Sequence, residues 1–166
     1  MTIYSNLASS QILAYLWDRM TAAEVLDTTD YYVDDLGFEV TPIVPVQDLP
    51  QLANYLGDKA YMYYSITCLP TNMDNWFIRG EQIVLSVNSP SYAKMAEITE
   101  FIKDALGRQD GSAQDVNRFA SGKFTYHWVT VDYDIAAPAR SEGGRMRSEI
   151  TISYEFARDM TNNRFN

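Results

Sequence analysis

Two long runs of alternating apolar and polar residues, followed directly by a helical pattern, constrain the fold of this chain most strongly. The first run covers residues 60–68 and places Met62 and Tyr61 on opposite faces. The second run covers residues 76–87, and the turn-forming sequence PTNMDN stands between the two. A period of two residues is typical of strands that bury one face. The sequence therefore predicts a long antiparallel hairpin.

The segment after this hairpin has the period of an amphipathic helix. Ser89 and Pro90 supply a cap and a first-turn proline, and Gly107 supplies a stop, so the pattern predicts a helix over residues 91–106. The apolar residues at helical spacing are Tyr92, Met95, Ile98, Ile102, Ala105 and Leu106. An apolar stripe of this kind is expected to pack on the sheet.

A second hairpin is predicted over residues 123–135 and 145–156, with a bulge near Trp128 and Val129 where the apolar parity changes. Residues 6–20 predict a short first helix. The expected fold class is α+β, a mostly antiparallel sheet of two long hairpins with a long helix packed on it and a short N-terminal helix.

The length and the remaining segments indicate how the chain is organised. The 166 residues suit a single domain, 1–166, that needs no disulfide or metal to hold its core. Residues 108–122 are polar, contain two glycines and show no period, which predicts an exposed loop. Residues 159–166 have no core pattern and are predicted to form a C-terminal arm.

Charge and cysteine content bear on partners and location. The chain has 13 basic and 22 acidic side chains, a net charge of −9, so its field repels phosphate and disfavours tight nucleic-acid binding. Its single cysteine, Cys68, cannot form an internal disulfide, which favours a reducing, intracellular origin. No apolar stretch is long enough to span a bilayer, and no export signal is apparent.

Signals for catalysis or metal binding are weak. The phosphate-loop, dinucleotide-binding, nucleophile-elbow and zinc-protease motifs are all absent. His127 lies within a strand pattern and fits a structural role better than a catalytic one. Asp132 with Asp134, and Asp34 with Asp35, could hold a cation, but solvated polar faces explain them more simply. We therefore expect no enzyme activity, no cofactor, and no catalytic or metal-binding residue.

Aromatic residues make up 13% of the chain and several fall on strand faces opposite the aliphatic set. Tyrosine and tryptophan are enriched at protein interfaces, so these side chains are candidates for a subunit contact. The alternative is that the sheet is covered on both faces within one monomer. Strand arginines could pair with acidic groups of a neighbouring copy or simply face solvent. The candidate interface residues are Tyr61, Tyr63, Trp76, Arg79, Arg145 and Arg147.

Four sequence runs carry a resemblance to a known family. They are IVPVQDLP at 43–50, AYMYYSI at 60–66, WFIRGEQIVLSV at 76–87 and FIKDALGR at 101–108. Together with the order of elements, they resemble the tail terminator proteins of tailed bacteriophages, also called tail completion or tail-to-head joining proteins. The resemblance covers most of residues 40–157. The polar segment between the long helix and the second hairpin departs from the family pattern.

The resemblance implies a non-enzymatic ring, usually hexameric, in the tail and neck of the virion, assembled in the host cytoplasm. Such a ring ends growth of the tail tube and joins the tail to the head. Its implied partners are further copies of itself, the tail tube protein, a neck or head-completion protein and, in tails that have one, the sheath. DNA would pass through the lumen without sequence-specific binding. A head-closure or neck adaptor is a close alternative. A small-ligand or enzyme domain with His127 and Asp132 or Asp134 at a pocket mouth is a more distant one.

Overall fold

The period-two runs form strands and the helical patterns form helices in the computed structural model of the chain. The structure describes residues 7–26, 32–33, 39–40, 42–48, 59–69, 78–108, 111–120, 124–133, 139–140 and 144–158. The helices in these residues are α1 (Ala8–Ala22), α2 (Tyr92–Leu106) and α3 (Ser112–Phe119). The strands are β1 (Tyr32–Val33), β2 (Glu39–Val40), β3 (Ile43–Pro45), β4 (Tyr61–Cys68), β5 (Ile78–Ser89), β6 (Phe124–Tyr133), β7 (Ala139–Arg140) and β8 (Met146–Arg158).

The main sheet has the strand order β3-β4-β5-β8-β6, and β7 pairs separately with β8. Strand β3 runs parallel to β4, and the other pairs are antiparallel. Strands β1 and β2 form a separate antiparallel pair. The two longest strands, β5 and β8, therefore lie side by side in the middle of the sheet, where they pair over twelve positions.

The three described helices pack against one face of this sheet. The core contains the alternate residues Ile83, Leu85, Ile150 and Ile152 of the central strands, all fully buried. Helix α2 lies over β5 and β8, with its Thr99 hydroxyl 2.7 Å from that of Ser148. Burial of one face of each strand is the reason for the alternation in the sequence.

The predicted α+β class is confirmed, since helices cover a mostly antiparallel sheet. The strands of each predicted hairpin pair with each other, β4 with β5 and β6 with β8. Residues 70–77 of the first connection and residues 134–138 and 141–143 of the second lie outside the described residues, so the hairpins themselves remain predictions. The predicted single domain and the C-terminal arm at 159–166 are likewise not tested, the latter because it also lies outside those residues.

The start of the long helix differs from its prediction. Ser91, not Ser89, is the N-cap: its backbone is extended, with φ −105° and ψ 125°, and its hydroxyl accepts a hydrogen bond from the Lys94 amide at 3.4 Å. Ser89 still belongs to β5, and its hydroxyl accepts from the Ser91 amide at 3.1 Å. The sequence offered two possible N-caps, Ser89 and Ser91, with only Pro90 between them. Because Ser89 pairs with Met146 of β8, it remains in the strand and Ser91 becomes the cap.

The predicted exposed loop over residues 108–122 is wrong where α3 forms. This eight-residue helix fully buries Val116 and also buries Ser112 and Ala120. These residues recur every four positions on one face, whereas Gln114 and Arg118 are exposed. The prediction missed the helix because its three apolar residues, Ala113, Val116 and Phe119, stand in a short, otherwise polar segment between Gly111 and Gly122.

The predicted bulge in β6 is present, with the register shift between Tyr126 and Trp128. It lies slightly earlier than the sequence indicated, so His127 is the additional residue. The bulge lets Tyr126 and Val129 both face the core, where they are 2% and 4% exposed.

Candidate interaction surfaces

Four of the six candidate interface residues lie close together on the sheet face opposite the helices. Arg145 precedes β8, and its guanidinium lies over the Tyr61 ring of β4, 5.0 Å from the ring centroid. The Tyr61 and Tyr63 rings are 6.4 Å apart. Arg147 donates a hydrogen bond to the Tyr63 hydroxyl at 3.2 Å. We refer to Tyr61, Tyr63, Arg145 and Arg147 as the Tyr–Arg cluster.

The arginines of the Tyr–Arg cluster bind groups of their own chain. Arg145 donates through Nε to the Asn88 side-chain oxygen and through Nη2 to the Lys59 carbonyl. Asn88 is only 4% exposed, so this bond satisfies a buried amide. Arg147 also lies 3.6 Å from a Glu149 carboxylate oxygen. The cluster therefore joins β4 to β8 across β5.

Burial raises the pKa of the Tyr61 hydroxyl, and the Arg145 charge partly offsets that rise. Tyr61 and Tyr63 are both half-buried, which leaves part of each ring available to a partner. The arrangement can therefore act as a preorganised aromatic contact, since the rings are already held in place.

The other two candidate residues do not join the cluster. Arg79 lies on β5, is exposed, and has the opposite parity to Asn88, so it projects on the helix side of the sheet. Trp76 lies outside the described residues. The structure thus brings four of the candidates together and separates Arg79 from them, and their role at an interface stays a prediction.

Potential catalytic residues do not assemble into a site among the described residues. His127 and Asp132 are both exposed on β6. Five residues of extended strand separate them by about 16 Å. Asp34, Asp35 and Asp134 lie outside the described residues. Within the part of the chain that is described, no three His, Cys, Asp or Glu side chains are grouped to hold a metal ion.

A half-open groove of about 490 Å³ lies between the three helices. Its lining includes the aromatic residues Tyr15 and Phe101 and the charged residues Arg19, Asp104 and Arg108. Neither His127 nor Asp132 lines it. The groove is therefore separate from the pocket mouth that the sequence suggested.

A polar pair that the sequence did not predict joins a buried tyrosine of β8 to a partly buried glutamate of β5. Tyr154 is fully buried and its hydroxyl donates to a Glu81 carboxylate oxygen at 2.8 Å. Burial, followed by the Glu81 charge, raises the pKa of Tyr154 above its ordinary value. Tyr126 donates to the Ala8 carbonyl at 2.5 Å, and burial raises its pKa too. The only sequence signal was Glu81 at an apolar position of the β5 alternation.

Exposure is high along β6, an edge strand of the main sheet, and along the part of β4 that lies beyond β3. In β4, Ser65, Ile66, Thr67 and Cys68 are all exposed, and Ile66 is 42% exposed. In β6, Trp128, Thr130 and Asp132 are exposed, and Trp128 is 38% exposed. Exposed strand edges offer unpaired backbone groups to another chain.

No protein-family model and no curated protein matches this sequence. Within the described residues, the helices lack the combination of length and apolar character that crossing a membrane requires.

Proposed function

We propose that this protein is a structural virion protein of a tailed bacteriophage, a tail terminator that forms a ring at the head-proximal end of the tail. It ends growth of the tail tube and joins the tail to the head. The proposal starts from the resemblance of residues 43–50, 60–66, 76–87 and 101–108 to that family. The α+β architecture agrees with the fold that the resemblance implies.

The observation that carries the proposal is the difference, among the described residues, between the two faces of the sheet and between its two sides. All three described helices pack on one face, whereas the other face presents the Tyr–Arg cluster and both edges include exposed strand residues. A ring needs two different surfaces on each copy that fit each other with a rotation that closes. This sheet has two distinct edges and so meets that requirement.

Charge is also compatible with a ring around DNA. Each copy has a net charge of −9. Carboxylates that face the lumen would disfavour adhesion of DNA to the wall, so DNA would slide through without sequence-specific binding. The tail tube protein and a neck or head-completion protein are the partners on the two sides of the ring, with the sheath as a further partner in a contractile tail.

Electron microscopy of particles made without this protein tests the proposal. We expect tails of uncontrolled length, or tails that do not join heads, and recovery when the protein is supplied separately. Tails of normal length accompanied by heads that lose their DNA would instead indicate a head-closure protein. Normal virions in the absence of the protein would overturn the proposal.

A further inference from the structure

The edge formed by β4 is only half covered. Strand β3 pairs with residues 62–64, and the Val46 amide extends this pairing by donating to the Tyr64 carbonyl at 2.9 Å. No described strand pairs with the outer side of residues 65–68, and the side chains of all four are exposed. Among the described residues, this stretch is therefore an uncovered strand edge, and such an edge can pair with another strand.

The edge formed by β6 is sealed at one end and open along the rest. The Asn117 side-chain amide of α3 accepts from the Tyr126 amide at 2.7 Å and donates to the Tyr126 carbonyl at 2.9 Å. It thereby takes the place of a neighbouring strand at that position. Beyond the bulge, no described strand pairs with the outer side of residues 129–132.

The open stretches of the two edges lie at the same level of the sheet. Following the pairing from β4 through β5 and β8 to β6 defines rows of residues that run across all four strands. The rows place Cys68 with Val129, Thr67 with Thr130, Ile66 with Val131, and Ser65 with Asp132. The next row contains Tyr64 and Tyr133, where β3 begins to cover β4 and β6 ends. In these four rows, no described strand pairs with the outer side of either β4 or β6.

The hydrogen-bonding directions of the two stretches also match. Backbone groups of alternate residues point to the same side of a strand. The Met62 amide donates to the Pro42 carbonyl, and the Tyr64 carbonyl accepts from the Val46 amide, so the backbone groups of both residues point away from β5. Ile66 and Cys68 have the same parity, so their backbone groups point outward as well. Applied to β5, β8 and β6 in turn, the same alternation makes the backbone groups of Val129 and Val131 point away from β8. The bonds of the Tyr126 backbone to Asn117 point to the same outer side of β6.

Strand direction and side-chain faces agree as well. Three successive antiparallel pairings make β6 antiparallel to β4, so a neighbour in the same orientation would continue the antiparallel pattern. In these rows, Ile66 and Val131 both lie on the helix side, and Thr67 and Thr130 both lie on the opposite side. Pairing would cover Ile66, which is 42% exposed in one copy.

We infer that a second copy of this chain is the partner of these edges, with residues 129–132 of one copy pairing antiparallel to residues 65–68 of the next. The two surfaces differ, so the contact is heterologous and can repeat around a ring. This inference rests on the proposed function and names the contact that joins the copies.

Disulfide trapping tests the contact directly. In a Cys68→Ser background, Thr67→Cys and Thr130→Cys place one thiol on each edge. Within a copy, three strand spacings separate these positions by about 14 Å, beyond the reach of a disulfide. Between copies they would face each other in a close, non-hydrogen-bonded pair. We expect mild oxidation to yield covalent oligomers larger than dimers.

The matched control combines Thr67→Cys with Thr125→Cys, because Thr125 is also exposed on β6 but lies before the bulge and outside the open rows. It should yield at least tenfold fewer such oligomers. If circular dichroism shows that the Thr67→Cys and Thr130→Cys chain does not fold, Ser65→Cys with Asp132→Cys provides a second facing pair. Equal trapping in control and test pairs, or none in either facing pair, would overturn the inference.

A second substitution separates this inference from the proposed function. Added to a trapping pair, Ile66→Lys should reduce oligomers at least tenfold, whereas Tyr92→Lys, at an exposed site on α2, should not. The unmodified chain is then weighed by native mass spectrometry. If native mass spectrometry shows oligomers but the facing cysteine pairs are not trapped, the edge contact alone is refuted. If the chain is a strict monomer and the pairs are not trapped, the ring is refuted too. Trapping of a protein that is absent from virions would refute only the phage assignment.

Discussion

At the scale of single residues, buried polar groups of the sheet have partners that affect its stability. Tyr154 is fully buried with its hydroxyl bonded to Glu81, and its pKa is raised by burial and by that carboxylate. The folded chain therefore keeps this proton above pH 10, where the unfolded chain releases it. Its contribution to stability is fully present below pH 10 and is lost as the pH rises further.

Tyr154→Phe should therefore make the free energy of unfolding less dependent on pH above pH 10. Some fall of the free energy of unfolding with pH should remain in this variant, because the pKa of Tyr126 is also raised. At pH 8 the substitution should cost about 1–2 kcal/mol, since it removes a hydrogen bond to a carboxylate. Urea unfolding between pH 7 and 11 measures both effects. An unchanged alkaline slope would contradict this account of Tyr154.

Arg145 is the second residue whose role can be isolated. Its bonds to Asn88 and the Lys59 carbonyl, and its position over the Tyr61 ring, require the planar guanidinium. Arg145→Lys should lower the free energy of unfolding by about 1–3 kcal/mol. The control is Arg79→Lys at an exposed strand position, expected to change it by less than about 0.5 kcal/mol. Equal effects in chemical denaturation would count against the role of Arg145.

At the scale of elements, α3 is where packing is most informative. Val116 is fully buried beneath a helix whose other side chains are mainly polar. Val116→Ala should lower the free energy of unfolding by about 1–3 kcal/mol through lost burial and an unfilled cavity. Gln114→Ala, at an exposed site on the same helix, should have little effect. Similar urea midpoints for the two variants would mean that α3 does not anchor β6.

The elements also show what sequence patterns can and cannot reveal. The long strands were predictable because one face of each is buried, which imposes a period of two. The Tyr–Arg cluster was partly predictable, since Tyr61, Tyr63 and Arg147 all occupy the face opposite the aliphatic set. Pairing of Tyr154 with Glu81 was not, because it joins residues 73 positions apart. Sealing of Tyr126 by Asn117 was not, because it depends on α3, which the sequence pattern did not predict.

At the scale of the whole molecule, the proposed assembly must overcome repulsion between chains that each have a net charge of −9. The proposed edge pairing uses backbone groups and uncharged side chains, apart from Asp132. Salt should therefore strengthen association by screening the repulsion, as the Debye length falls from about 30 Å at 0.01 M to about 10 Å at 0.1 M. Analytical ultracentrifugation should show larger species at higher salt. Dissociation by salt would indicate a contact based on ion pairs instead.

The central claim is that identical copies of this chain form a closed ring between the tail and the head of a phage. Electron cryomicroscopy of purified virions, with the copies counted in the reconstructed neck, tests it most directly. The account predicts one ring of copies at the head-proximal end of the tail, with β6 of each copy beside β4 of the next. Virions that lack the protein, or that contain it as isolated copies elsewhere, would contradict it.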